Sequence, residues 1–254
     1  MPPIVLLTDF GDRDGFTGTM KGVIHGIAPE ASVIDLSHHI PPQDVAAARF
    51  VLWHSYRYFP EGSIFVCVVD PGVGSDRAIM AVQTRQHTYL APDNGLLDYV
   101  LAETTPRQIL RIENPKVMLP TISRTFHGRD IFAPAAAHLA AGFPFTQLGP
   151  LHRYQVPPSP FVQARPQAAL TARVLHADHF GNLITNCLLP PDWQGRVRVG
   201  GRSLLMLRTY GEVEVGHALA LRGSHGLLEL SIREGNAAQV FRLGPGDPIE
   251  VLGS

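Results

Sequence analysis

Apolar residues fall into two patterns along the chain, and the change comes near residue 160. Before it, short unbroken apolar runs alternate with stretches whose apolar positions recur every three to four residues. Ile4-Val5-Leu6-Leu7, Ser32-Val-Ile-Asp-Leu36 and Phe65-Val-Cys-Val-Val69 read as strands; the unbroken runs predict burial on both faces of a sheet. Met20, Val23, Ile24 and Ile27 give a helix stopped by Pro29. Val45, Ala48, Phe50, Val51 and Leu52 give a second helix, with Pro42 placed near its first position. Strands follow over 78–84 and 88–91. The turn Pro92-Asp93-Asn94-Gly95 then leads a helix carrying Leu96, Leu97, Val100 and Leu101. An alanine-rich helix over 131–141 ends at Gly142. Alternation of this kind predicts a three-layer α/β domain with a largely parallel sheet.

The second pattern has period two. Strands are expected over 171–175, 183–187, 196–199, 203–207, 212–215, 227–232 and 249–252, separated by glycine-rich turns and without a helix. That describes a small all-β domain, a barrel or sandwich. Between the patterns, four prolines in the eleven residues from Val156 to Pro166 mark a stiff linker. The expected organisation is an α/β domain over 1–155, a proline-rich linker over 156–168 and a β-barrel-like domain over 169–254.

Composition narrows the function classes. Hydrophobic residues are 45% and charged residues 17%, enough for a core and too apolar for disorder. A net charge of −1 leaves no basic footprint for nucleic acid or an acidic membrane surface. No apolar tract is long enough to span a bilayer, and the N-terminus lacks the features of a signal peptide. Cys67 and Cys187 sit far apart in apolar runs, as buried thiols in a reducing cytoplasm would.

Several ionisable groups stand where strands end. Asp9 follows the first run, Asp70 the run 65–69, and Asp93 the strand 88–91; His38 and His39 follow the strand 32–36, and His127 and Arg129 precede the alanine-rich helix. Ligands of open α/β sheets bind outside the carboxyl ends of strands. Asp70, before the turn Pro-Gly-Val-Gly, is therefore a candidate for chemistry; the other reading is an acid that only shapes the turn. Phosphate-binding glycine loops, a serine-hydrolase elbow and a zinc-protease helix motif are all absent. A two-metal phosphoesterase built on Asp9, Asp70, His38 and His127 is the metal-dependent alternative. Against it, Arg77 soon after Asp70 suits an ion pair, and extended neighbours such as His38 and His39 point opposite ways, one buried and hydrogen-bonded, the other solvated.

Five motifs occur in order: Thr8-Asp-Phe-Gly11; Val69-Asp-Pro-Gly-Val-Gly74 with Arg77; Thr125-Phe-His-Gly-Arg-Asp130; Asp178-His-Phe-Gly-Asn-Leu-Ile-Thr-Asn186; and Gly223-Ser-His-Gly226 with Gly235-Asn-Ala-Ala238. Together they resemble the S-adenosylmethionine (SAM) hydroxide adenosyltransferases, adenosine-forming SAM hydrolases related to the SAM-dependent fluorinases and chlorinases. The resemblance implies attack of water or hydroxide on the ribose C5′ of SAM, expelling methionine, with no metal or cofactor. It implies a catalytic triad at Asp70, Arg77 and His127. It implies substrate contacts at Asp9 (ribose hydroxyls), Asp14 (methionine ammonium), Asp178 and Ser224 (methionine), Asn182 and Ala237 (adenine), and a packing role for Phe180. His225 stands where the fluorinase branch has arginine, which leaves open whether that contact is made by backbone or side chain. Where the fluorinase pattern has tyrosine and serine, this chain has Asp70 and Gly128, the hydrolase combination. A homotrimer with sites between subunits is a further implication. A non-catalytic SAM- or adenosine-binding module is the remaining alternative; the presence of all three triad residues weighs against it.

Overall fold

The computed structural model describes residues 1–165 and 168–253, so Pro166 of the proline-rich segment lies outside the described residues. The chain divides into two compact units, Met1–Ser159 and Pro160–Ser254. No helix among the described residues is long and apolar enough to cross a membrane.

The first unit is a three-layer α/β structure. Its six strands are β1 (Ile4–Thr8), β2 (Val33–Ser37), β3 (Ile64–Val68), β4 (Ile79–Gln83), β5 (Thr88–Pro92) and β6 (Gln108–Arg111), in the order β2-β1-β3-β5-β4-β6. The first four in that order are mutually parallel, whereas β4 runs antiparallel to both β5 and β6. Every residue of β1 and β3 is buried, which is why those segments read as unbroken apolar runs. Alternation within the runs divides the two faces. Ile4, Leu6, Ile64, Val66 and Val68 share a core with Met20 and Ile24 of helix α1 (Phe16–Ile27) and the alanines of α4 (Ala133–Ala140). The intervening Val5, Leu7, Phe65 and Cys67 are equally buried, and α2 (Val45–Ser55) packs against β1 and against α3 (Asp98–Glu103).

Chain order reverses at β1: the path runs from β1 to β2 on one side, then to β3 on the other. The carboxyl ends of β1 and β3 therefore flank a topological switch point, the place where such sheets bind ligands. In their register Thr8 lies opposite Val68, so Asp9 and Asp70 both emerge just beyond that end.

The second unit is a closed barrel. Strands β8 (Ala169–Ala177), β9 (Leu183–Leu188), β10 (Gly195–Val199), β11 (Arg202–Leu207), β12 (Ala218–Arg222), β13 (Leu227–Ile232) and β14 (Pro248–Gly253) pair in the order β13-β12-β11-β10-β14-β8-β9, and β9 returns to β13. Closure removes the sheet edges that an open all-β unit would have to protect. A short strand, β7 (Val162–Gln163), adds parallel to β9, and Ala164 beside it is buried in the barrel core.

Some details differ from the reading of the sequence. Helix α2 begins at Val45, so Pro42 lies ahead of its first turn, and Asp44 caps it by accepting from the Ala47 amide at 2.9 Å. The strand expected over 212–215 is absent; a 3-10 turn at Tyr210–Glu212 stands there, closed by a Thr209–Glu212 capping box. The barrel also carries a helical turn, α5 (Ala237–Phe241), with Asn236 as its cap.

Candidate functional site

Asp70 sits on the turn after β3. The backbone reverses there through a Val73 amide to Asp70 carbonyl hydrogen bond, bringing Arg77 back across the carboxylate. Arg77 Nε lies 2.9 Å from both Asp70 oxygens, and its Nη2 donates to Oδ2 as well. The two side chains are 10% and 4% exposed, so this is a buried, charge-assisted contact rather than a surface pair. Asn94, on the turn after β5, donates its Nδ2 to the Val69 carbonyl at 2.9 Å and steadies the residue before Asp70.

His127 arrives from the loop before α4. Arg77 Nη2 lies 2.9 Å from His127 Nδ1. A guanidinium only donates, so Nδ1 accepts and the ring proton is on Nε2. Burial, and then the charge of Arg77, hold the His127 pKa below the usual histidine value; Asp70 and the Ser123 backbone act in the opposite direction. His127 is the neutral member of the group. The loop is anchored from behind: Asp130, fully buried, accepts from the Ser123 amide at 2.8 Å and pairs with Arg129. Arg129 and Ser123 outweigh the burial that acts to raise the Asp130 pKa, and hold it below the carboxylate norm. One wide π turn, Gly128–Phe132, then passes into α4, where the sequence pattern suggested ordinary helix.

The two loops are in direct contact. Gly74 has φ 80° and lies so near the Arg124 carbonyl that a Cβ there would stand 2.4 Å from its oxygen. Only glycine permits both the backbone angle and the approach.

These groups border a cavity of about 360 Å³ lined by Asp9, Asp70, His127, Phe10, Phe16 and Phe126, among others. The three phenylalanines pack edge-on or tilted with ring centroids 5.1–5.9 Å apart, an apolar wall facing the ionisable groups. Asp9 Oδ2 accepts from the Gln43 amide at 2.7 Å. Gln43 also lines the cavity and holds φ 66°, a left-handed conformation unusual outside glycine. Asp14 is exposed, just before the Gly15 start of α1, and is not among the lining residues. Among the described residues, no three His, Cys, Asp or Glu side chains converge as a metal-binding set. His38 is buried and hydrogen-bonded while His39 is 72% exposed, the division expected for neighbouring histidines. Cys67 and Cys187 are buried free thiols, and burial pushes the Cys187 pKa up to about 11.

A second cavity, about 640 Å³, belongs to the barrel unit and is lined by Phe180, Asn182, Tyr210, Ile232 and Arg233, among others. Phe180 is 71% exposed. Asp178 holds the turn that carries both expected residues: its Oδ1 accepts from the Phe180 and Asn182 amides at 2.9 and 2.8 Å, and its Oδ2 accepts from Asn182 Nδ2 at 2.9 Å. That is the turn-shaping role an acid at this position can fill. Ala237 is buried at the start of α5, and Ser224 is exposed on the turn between β12 and β13. The His225 side chain turns inward. Its Nδ1 accepts from the Leu227 amide at 3.2 Å, and its Nε2 stands 3.8 Å from Glu229.

Glu229 was not singled out from the sequence. It is buried, accepting from Tyr210 Oη at 2.6 Å and Ser231 Oγ at 2.9 Å, and with burial it raises the Tyr210 pKa. The signal was legible: one acid in the otherwise apolar or small run of β13, all of whose residues are buried. Gln43 and Asn94 gave no comparable signal, because each acts through a loop conformation.

The fold and the two cavities define an α/β-plus-barrel protein whose first-unit site pairs a buried acid, arginine and histidine. The SAM hydroxide adenosyltransferase N-terminal domain matches residues 4–149, and the C-terminal domain of the same family matches residues 172–250. The chain belongs to this family. It is 42% identical over 263 residues to an (R)-S-adenosyl-L-methionine hydrolase of Thermus thermophilus, covering 99% of this chain and all of the relative. It is 38% identical to a protein of the same name from Salinispora arenicola, covering 98% of this chain and 97% of the relative. The solved structure of an uncharacterized conserved protein from Thermotoga maritima superposes with a TM-score of 0.87 at 35% identity, covering 98% of this chain and 99% of that one. Proteins named fluorinase also match, at 25–28% identity.

Proposed function

We propose that this protein is an enzyme that hydrolyses S-adenosyl-L-methionine to adenosine and L-methionine, by in-line attack of water or hydroxide on the ribose C5′. The observation that carries the reading is the buried Asp70–Arg77–His127 group on the rim of the switch-point cavity, in a chain whose full-length relatives are named for this reaction. Methionine leaves as a neutral thioether, so its departure needs no general acid. The step needs an oriented nucleophile in line with the C–S bond, in surroundings poor in water. A hydroxide-like nucleophile and a sulfonium lose charge as they meet, and the phenylalanine wall favours that change.

The hydrogen bonds distinguish the roles. His127 Nδ1 is engaged by Arg77, so the imidazole lone pair is not free to remove a proton. Among the described residues Asp70 Oδ1 accepts from Arg77 Nε alone, and it keeps lone-pair capacity for a water O–H. Asp70 therefore fixes the water and shares its proton; His127 fixes Arg77, and Arg77 holds the Asp70 carboxylate in place. Asp9 takes the ribose hydroxyls, for which a carboxylate's two oxygens suit. Phe180, Asn182 and the Ala237 backbone serve adenine; Asp14, Asp178, Ser224 and the backbone at His225 serve methionine, the His225 side chain being turned toward Glu229. The reading extends to the (R) sulfonium epimer that the relatives' names specify, to a cytoplasmic setting, to action without metal or cofactor, and to a homotrimer.

Halide transfer is not favoured. A carboxylate at Asp70 would repel a halide, and a Cβ at Gly128 would meet Met20, Phe10 and Phe126 at 3.2–3.3 Å, so a serine there would crowd the wall. The phosphoesterase alternative is disfavoured because Arg77, a cation, occupies the position between Asp70 and His127, and both ring nitrogens of His38 are engaged by Thr8 and Asp35. Incubation with SAM, following adenosine and methionine by chromatography before and after treatment with a chelator, tests the proposal. Both products should form at equal rates with and without chelator. Absence of either product above the no-enzyme control overturns the reaction, and loss of activity on chelation overturns the metal-free mechanism.

A further inference from the structure

Asp9 and Phe10 reach the first cavity from a loop that one histidine holds at both ends. Thr8, before them, is fully buried; its Oγ1 accepts from the Phe10 amide at 3.2 Å and lies 2.8 Å from His38 Nδ1. Gly11, after them, donates its amide to the His38 carbonyl at 2.8 Å. The other ring nitrogen, Nε2, lies 3.0 Å from Asp35 Oδ1, and Lys21 Nζ reaches Asp35 Oδ2 at 2.6 Å.

Donors and acceptors along this chain have one consistent arrangement. Ionised Asp35 only accepts, so His38 Nε2 carries the proton and Nδ1 accepts from the Thr8 hydroxyl. The Thr8 oxygen is left to accept the Phe10 N–H. Burial acts to raise the Asp35 pKa, but Lys21 and His38 outweigh it and hold the acid below its usual value. The set has the residue types of a hydrolytic triad, yet Thr8 and His38 are buried and neither is among the cavity-lining residues, so no substrate atom reaches the hydroxyl.

We propose that His38, acting through Thr8, is a positioning residue that sets the placement of Asp9 and Phe10 and thereby the affinity for the substrate's ribose. This rests on the ribose role of Asp9 proposed above. Thr8→Val keeps the volume and removes the hydroxyl. The folded variant should raise KM for SAM about 5- to 10-fold, the scale of one lost hydrogen bond, with kcat within about twofold of the parent, and Thr8→Ser should restore KM. Repeating the comparison with a SAM analogue lacking the ribose 2′- and 3′-hydroxyls separates positioning from general damage: the penalty of Thr8→Val should vanish with it. A parental KM in Thr8→Val, or a penalty that persists with the analogue, overturns the inference. If Thr8→Val does not fold, Asp35→Asn at the half-exposed end of the chain takes its place, with the same expected split and the same overturning results. Asp9→Ala distinguishes the two levels: unchanged KM there defeats the ribose reading and this inference together, whereas a raised KM there with parental Thr8→Val defeats this inference alone.

Discussion

Asp70 and His127 differ in what their hydrogen bonds leave available, and that difference is measurable. Asp70→Asn keeps the shape and removes the charge that Arg77 faces, so turnover should fall about 10²- to 10⁴-fold, the range for losing a proton-handling group, with SAM affinity by calorimetry little changed. Turnover near the parental value would show that the carboxylate takes no part. His127 makes a pH prediction. With its pKa held below the ordinary value by burial and Arg77, the ring is neutral through the neutral range and takes a proton only as pH falls below about 6.5. Protonation converts Nδ1 from acceptor to donor opposite a guanidinium, and the two cations then repel. The acid limb of kcat/KM, which reports the free enzyme, should therefore lie below about pH 6.5 and vanish in His127→Asn. A limb at or above the ordinary histidine value would contradict the assignment.

Among the elements, turns carry more of the site than strands do. The 178–182 turn is held by Asp178 and docks on α5, where Gly181 accepts from the Ala238 amide at 2.9 Å. Gly181 has φ 82°, and a Cβ there would stand 2.1 Å from the Asn236 side chain, the cap of α5. Gly181→Ala should destabilise the fold by at least about 1–3 kcal/mol from the backbone angle alone, read as a lower denaturation midpoint; an unchanged midpoint would mean the turn relaxes freely. The same contrast explains what was legible in the sequence. Apolar runs at 4–7 and 65–69 announce strands buried on both faces, and the acids after them lie at the rim. The antiparallel insertion of β4 between β5 and β6 was not legible, since strand direction leaves no trace in a short apolar run. Nor was the Gln43 amide that holds Asp9, because it depends on a left-handed residue that is not glycine. The strand read over 212–215 failed for a local reason: Glu212 turns back to the Arg208 and Thr209 amides at 2.7 and 2.8 Å and closes a turn first.

For the whole molecule, the residues proposed for chemistry and those proposed for adenine lie in different compact units, Met1–Ser159 and Pro160–Ser254. The proposed homotrimer with sites shared between subunits makes a prediction that a single-chain site does not. Asp70→Ala and Asn182→Ala proteins, each nearly inactive alone, should regain activity when co-expressed, because some mixed sites then receive an intact contribution from each chain. For a random trimer, each site has about a one-in-four chance of drawing both intact contributions from neighbouring subunits. Activity no greater than the sum of the two single variants would place the whole site in one chain.

The approach of Gly74 to the Arg124 carbonyl has a consequence for motion. The turn that carries Asp70 and Arg77 cannot swing toward the loop that carries His127 without colliding with it, and the Arg77 bridge resists swinging away. The two segments are therefore coupled as one mechanical body. Access for substrate and product is expected from the other walls of the cavity, where Phe16 is already partly open to solvent, while the corner proposed to hold the water keeps its shape.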